Sequence, residues 1–179
     1  MQALLSLSGA IDAVSKKLGQ VADYLVLFCA LISAGNAIVR YFFSYSSNGW
    51  LEIQWYMFAG MVLLGASYTL KMNEHVRVDL VYGWVSDRTR LWIDIIGIIF
   101  FLLPVCLYFT FACWPFFYSS YVGGEMSPNA SGLIRWPVKL LLVIGFGFLF
   151  LQGVSELIKR IAALTGVTRL DTHYEKPLQ

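Results

Sequence analysis

The sequence predicts an all-α integral membrane protein: four transmembrane helices, an N-terminal amphipathic helix, an amphipathic cytoplasmic connector, and both termini in the cytoplasm. Three observations carry that reading. Of the 179 residues, 58% are hydrophobic and 13% charged, with a mean hydropathy of +0.66, far from the balance of an ordinary soluble domain. Several apolar runs reach the roughly 20 residues needed to cross a hydrocarbon layer about 30 Å thick. Lysine and arginine are also distributed unevenly between alternate connecting segments.

The opening residues, MQALLSLSGAIDAVSKK, lack the cationic start of a signal peptide, and their Lys pair follows the apolar part. Leu4, Leu7, Ile11, Val14 and Leu18 recur at helical spacing, so this segment reads as an amphipathic helix lying on the membrane surface. A first span over about residues 18–43 carries the body LVLFCALISAGNAIV between Asp23 and Arg40. The polar turn SYSSNG leads to a second span, about 50–70, which ends at the charged stretch KMNEHVRVD. The connector NEHVRVDLVYGWVSDRTR alternates charge with Val76, Val78, Leu80, Val81, Trp84 and Val85. It reads as a second surface-lying segment, the alternative being a plain basic loop.

A third span, about 91–121, would measure roughly 45 Å as a straight helix and must tilt, protrude or kink. Pro104 and Pro115 mark the expected bends, since each removes a backbone donor. The loop GGEMSPNASG reverses the chain, and Trp136 and Pro137 open a fourth span over about 136–163, with proline suited to the first turn. Residues 1–166 thus form a single membrane domain, and 167–179 a polar cytoplasmic tail.

With the amino terminus inside, the inner segments hold Lys16, Lys17, Lys71, Arg77, Arg88, Arg90, Lys159, Arg160, Arg169 and Lys176, against Arg40, Arg135 and Lys139 outside. Ten against three sets the orientation by the positive-inside rule. A net charge of +2 with scattered basic residues gives no basis for a nucleic-acid partner.

Catalytic patterns are absent from the sequence. Cys29, Cys106 and Cys113 lie in apolar stretches without CxxC spacing, and His75 and His173 fall outside the spans. Neither an HExxH pair nor a GxxxxGKS/T loop occurs, so no enzyme, cofactor or metal is expected. What remains is a set of polar residues in apolar helices, each costly unless it faces protein or water. Cys29, Ser33, Asn36 and Arg40 share one face of the first helix, and Gly145, Leu149, Gln152 and Glu156 one face of the fourth. Such stripes suit helix packing and interhelical hydrogen bonds. They do not trace an ion path, because Asp23, Glu52, Asp94 and Glu156 fall toward span ends. Arg90 with Asp94, and Glu156 with Arg160, read as solvated pairs at four-residue spacing. Arg40, Glu52 and Arg135 gather near the outer surface, either to order the helix ends or to meet an extracytoplasmic partner.

The segment EHVRVDLVYGWVSDRTR, together with SGLIRWPVKLLLVIGFGFLFLQGVSELIKR, closely resembles the DctQ-like small membrane subunit of tripartite ATP-independent periplasmic (TRAP) transporters. The likeness rests on Glu74, His75, Val76, Arg77, Val78 and Asp79, then on Gly132, Leu133, Arg135, Trp136, Pro137, Lys139 and Gln152, and covers about Val21 to Leu164. The closing HYEKPLQ is similar too. The resemblance implies a sodium-coupled importer of carboxylates in the bacterial inner membrane. A periplasmic binding protein captures the organic acid, and a large DctM-like subunit carries the sodium and substrate sites in a moving elevator domain. The small subunit, here an unfused chain, braces the stationary scaffold. A self-contained homo-oligomeric channel or exporter is the rival reading, resting on the stripe through Ser33, Asn36 and Arg40.

Overall fold

A computed structural model describes residues 1–74 and 85–168, and these form four helices. Helix α1, Gln2–Phe43, has 42 residues and no interruption, a length of about 63 Å at 1.5 Å per residue. Here the structure corrects the expectation of a separate surface helix before a span at residue 18. No proline separates the two segments, and Gly19 at the junction is held in the helix against Tyr68 of the next helix, so the helical hydrogen bonding propagates through. The stripe Leu4, Leu7 and Val14 points outward, while Ser8, Ser15, Gly19 and Ala22 are buried. Together with Asp12 these recur at a seven-residue repeat, the spacing that keeps one seam against a neighbouring helix.

Ser44 stops α1 in the left-handed region (φ 50°), and Ser47 caps α2, Asn48–Met72, by accepting from Gly49 N at 3.3 Å. The linker 44–47 folds α2 back along α1. Asn73, also left-handed at φ 60°, ends α2. The connector expected to lie on the membrane surface falls largely outside the described residues, as does most of the tail.

Helix α3, Asp87–Val122, is 36 residues long and starts at the Ser86 cap, with Asp87 in the first turn where a negative charge favours the helix dipole. Of the two prolines expected to bend it, Pro104 follows a π-turn over Ile98–Leu102, in which Leu103 N–H bonds to Ile98 O. The extra residue in that turn moves a carbonyl aside from the proline ring, which would clash with it in a regular α-helix. Helix geometry continues through Pro115. Helix α4, Trp136–Leu164, carries Pro137 in its first turn and closes with Gly166 at φ 73°.

Among the described residues α4 is the central element, packed against each of the other three, while α1 also lies along α2. Gly145 allows a close approach to α2: a Cβ there would sit 2.7 Å from Leu63 Cβ and 3.0 Å from Leu63 O. Phe109 of α3 stacks on Phe146 of α4 at 5.0 Å between ring centroids.

Burial runs opposite to that of a water-soluble protein. The buried set is dominated by Ser8, Ser15, Glu52, Ser67, Ser120, Gln152, Ser155, Glu156 and Arg160, whereas Phe100, Phe101, Tyr108, Phe111 and many other large apolar side chains point outward. Hydrocarbon solvates the outward groups as well as a protein interior would, so the interior is left to small and hydrogen-bonding side chains. Among the described residues three helices, α1, α3 and α4, are long and apolar enough to cross a membrane. The fourth expected span corresponds to α2, which has 25 residues and is not among those three.

Candidate functional site

Two polar clusters tie the helices together, one at each end of the bundle. At the end holding the N-terminus, α4 presents Gln152, Ser155, Glu156, Lys159 and Arg160 over two turns, and α1 presents Ser8, Asp12 and Ser15 opposite them. Ser15 Oγ donates to Gln152 Oε1 at 2.7 Å, and Gln152 Nε2 donates to Asp12 Oδ1 at 2.9 Å and Glu156 Oε1 at 3.1 Å. The Ser8 and Ser155 hydroxyls lie 2.7 Å apart, and Ser155 Oγ also donates to Asp12 Oδ1 at 2.8 Å. Lys159 Nζ bridges two helices, bonding Asp12 Oδ2 at 3.0 Å and the Glu156 carboxylate.

Arg160 brings in α3. Its Nε donates to Asp94 Oδ2 at 3.0 Å and its Nη1 to the Glu156 carboxylate. The expectation of a solvated Glu156–Arg160 pair is therefore corrected: both residues are buried, 5% and 6% exposed, because α1 and α3 pack over them. Asp94, expected to pair with Arg90 as a solvated couple, takes part in this buried network, while Arg90 Nη1 bonds Asp87 Oδ1 at 3.0 Å. Glu156 sits between two cations and Arg160 between two carboxylates, an alternation that compensates each charge removed from water.

The second cluster holds the loop 123–135. Glu52, on the first turns of α2, is 1% exposed. Its Oε2 accepts from Leu133 N at 2.6 Å, and its Oε1 accepts from Asn129 Nδ2 at 2.8 Å and from the Ser127 hydroxyl. Glu52, expected either to order the helix ends or to meet an outside partner, lies beneath this loop. Gly132 lets the loop close: a Cβ there would meet Asn129 O at 2.8 Å. Tyr56 Oη adds a bond to Ile134 O at 3.2 Å.

Glu125 forms a second tether for the same loop. Lys139 Nζ, in α4, bonds its carboxylate and lies 3.9 Å from the centroid of the Phe116 ring, and Arg135 Nη1 is 3.8 Å from Glu125 Oε1. Trp136 packs edge-on against Tyr121 at 5.5 Å and Phe117 at 6.4 Å. The hydrogen bond from Lys139 and the charges of Lys139 and Arg135 hold the Glu125 carboxyl below its ordinary value of 4.5. A depressed folded-state pKa contributes stability that is fully present above 4.5 and is lost as pH falls through the lower folded value. The stability difference between the wild type and Glu125→Gln, measured by thermal unfolding in detergent, is expected to be constant at neutral pH and to close below that value.

The sequence-singled residues thus separate into groups. Gly145, Gln152 and Glu156 meet α2 and α1 at the packed seam, and Glu52, Arg135, Trp136 and Lys139 meet at the loop. Ser33, Asn36 and Arg40 line an open groove beside α2. His75, Arg77 and Asp79 lie outside the described residues. Sequence reasoning missed Asp12, Ser8, Ser15 and Ser155, although the seven-residue recurrence of polar and small residues along α1 was a usable signal. Glu125 carried no comparable signal, since its partners lie in the loop and the next helix.

The profile of a family described as "Tripartite ATP-independent periplasmic transporters, DctQ component" matches residues 29–163. The C4-dicarboxylate TRAP transporter small permease protein DctQ of Vibrio cholerae is 34% identical over 74 residues, 39% of this chain and 32% of the relative. That match spans about a third of the relative's length. No solved structure matches. The chain belongs to the DctQ family, the small permease components of TRAP transporters.

Proposed function

From that membership we propose that the chain is a scaffold-bracing subunit of a sodium-coupled, binding-protein-dependent importer of carboxylates. It crosses the bacterial inner membrane four times, α2 included, with both termini in the cytoplasm. A large DctM-like permease subunit supplies the sodium and substrate sites, and a periplasmic binding protein delivers the cargo. The ten-to-three distribution of Lys and Arg supports this orientation. It places the Arg160 network at the inner boundary and the Glu52 loop at the outer one.

The observation that carries the scaffold role is the use of buried charge. Glu156 and Arg160 are saturated by partners on α3 and α4, Lys159 ties Glu156 to Asp12 of α1, and Glu52 is saturated by the loop 123–135. Groups locked in pairs that cross-link helices favour one rigid arrangement and are poor candidates for binding and releasing a solute. An elevator mechanism needs such a fixed body against which another domain slides. Helices longer than the bilayer is thick, with aromatic side chains along their outer faces, resist being dragged along.

Co-expression with the large permease subunit tests this directly. Affinity purification of a tagged chain in mild detergent is expected to recover the large subunit in equal molar amount. Recovery of the chain as a homo-oligomer alone would favour a self-contained channel and contradict the proposal.

A further inference from the structure

One groove on the bundle has a lining at odds with the surface it lies on. It runs between the last turns of α1 and the first turns of α2, encloses about 530 Å³, and is lined by Ser33, Asn36, Ala37, Arg40, Leu51 and Gln54. The surface around it is apolar, with Leu31, Ile38, Phe42 and Trp55 each more than half exposed. Gln54 Nε2 is buried without a hydrogen-bond partner among the described residues. Arg40 is exposed and makes no ion pair among them. This contrasts with the two clusters above, where Glu52, Glu156 and Arg160 are all satisfied within the chain.

A buried amide donor without an acceptor is rare in a native protein, so its working environment supplies one. Acyl chains offer no acceptor. A phospholipid headgroup could engage Arg40, but Ser33 lies seven residues deeper on the same face, about 10 Å along the helix axis. An occupant that reaches the whole lining must carry polar atoms at several depths, as a polypeptide helix does. The side chains of Ala30, Ser33, Ala34 and Ala37 on this face are small and exposed, which allows another backbone to approach closely.

We propose that this groove seats a transmembrane helix of the large permease subunit, one that presents a carboxylate to Arg40 and a hydrogen-bond acceptor to Gln54. The assignment rests on the small-subunit reading and adds to it the face that meets the partner. Arg–carboxylate pairing at the helix end fixes register, and the amide bond deeper in the groove fixes rotation.

The test uses the full chain co-expressed with its large subunit. Ala34→Trp fills the groove, and Arg40→Glu and Gln54→Leu remove its recognition groups. Phe101→Ala and Phe111→Ala change the exposed face of α3 as controls. Each groove variant is expected to lower recovery of the large subunit about tenfold or more, as truncation of an interface anchor does, while the controls recover it as the wild type does. Ala37→Cys gives a second readout that tolerates normal assembly: a photoactivatable thiol reagent there should cross-link to the large subunit. Groove variants that retain the partner, with no cross-link from position 37, would overturn the assignment while leaving the subunit reading intact. Loss of a co-purifying phospholipid in native mass spectrometry, with the partner retained, would overturn it in favour of a lipid. A wild-type chain that recovers no large subunit would sink both the subunit reading and the groove.

Discussion

Replacing Arg160 by alanine is expected to destabilise the bundle by about 3–5 kcal/mol, the cost of breaking a buried ion pair by removing one partner. For a chain of this size that corresponds to a fall in melting temperature of roughly 6–20 °C, read by thermal unfolding in detergent. The effect is large because Arg160 bonds carboxylates on two helices, Asp94 of α3 at 3.0 Å and Glu156 within α4. Its removal takes the guanidinium away from both Asp94 and Glu156, and Lys159 stays bonded to Glu156. Arg160→Lys should recover only part of the loss, since an ammonium cannot present the planar fork that reaches both acceptors. The triple change Arg160→Met, Glu156→Leu and Asp94→Leu should recover most of it, because apolar groups of similar volume need no compensation. A single-variant loss within experimental error would show that the network is not a structural element.

The second large effect is expected at Glu52. Substitution by alanine leaves Leu133 N–H, Asn129 Nδ2 and the Ser127 hydroxyl without the acceptor they share. Buried donors left unsatisfied cost about 1–3 kcal/mol each, less where water can reach them. The loop sits at the end of the bundle, so the loss is expected to be smaller than that at Arg160 but measurable as a lower melting temperature. The distinguishing readout is local: amide hydrogen exchange over residues 125–135 should accelerate strongly, while exchange in the centre of α4 should not. Glu52→Gln, which keeps one acceptor oxygen, should fall between the two.

Much of the helical framework was legible in the sequence because hydrocarbon imposes so simple a rule: long apolar runs become helices, and breaks between them become turns. The boundaries at Ser44, Asn73 and Trp136 follow from residues that cap or start helices. The failure at the N-terminus is instructive. Leu4, Leu7 and Val14 mark an apolar stripe, and in water that stripe would be the buried face, which suggested a separate helix lying on a surface. In this bundle the stripe points outward, while Ser8 and Ser15 are buried and Asp12 between them bonds across the seam to Gln152.

The same inversion explains why the Glu156–Arg160 pair looked solvated. A four-residue spacing identifies the pair but not what covers it, and the cover comes from α1 and from Asp94, 66 positions away. For Glu52 the sequence located a charge near the outer surface without its donors, because Ser127, Asn129 and Leu133 come from a loop more than 70 residues away. Topology brings these groups together; local pattern cannot.

The proposed scaffold role has this chain support transport by bracing a partner, without moving a solute itself. It is tested most directly by measuring carboxylate uptake into proteoliposomes under an inward sodium gradient, with the binding protein outside. The chain alone and the large subunit alone are each expected to give background flux, and the two together sodium-dependent uptake. Full uptake by the large subunit without this chain, or flux through this chain alone, would contradict the account.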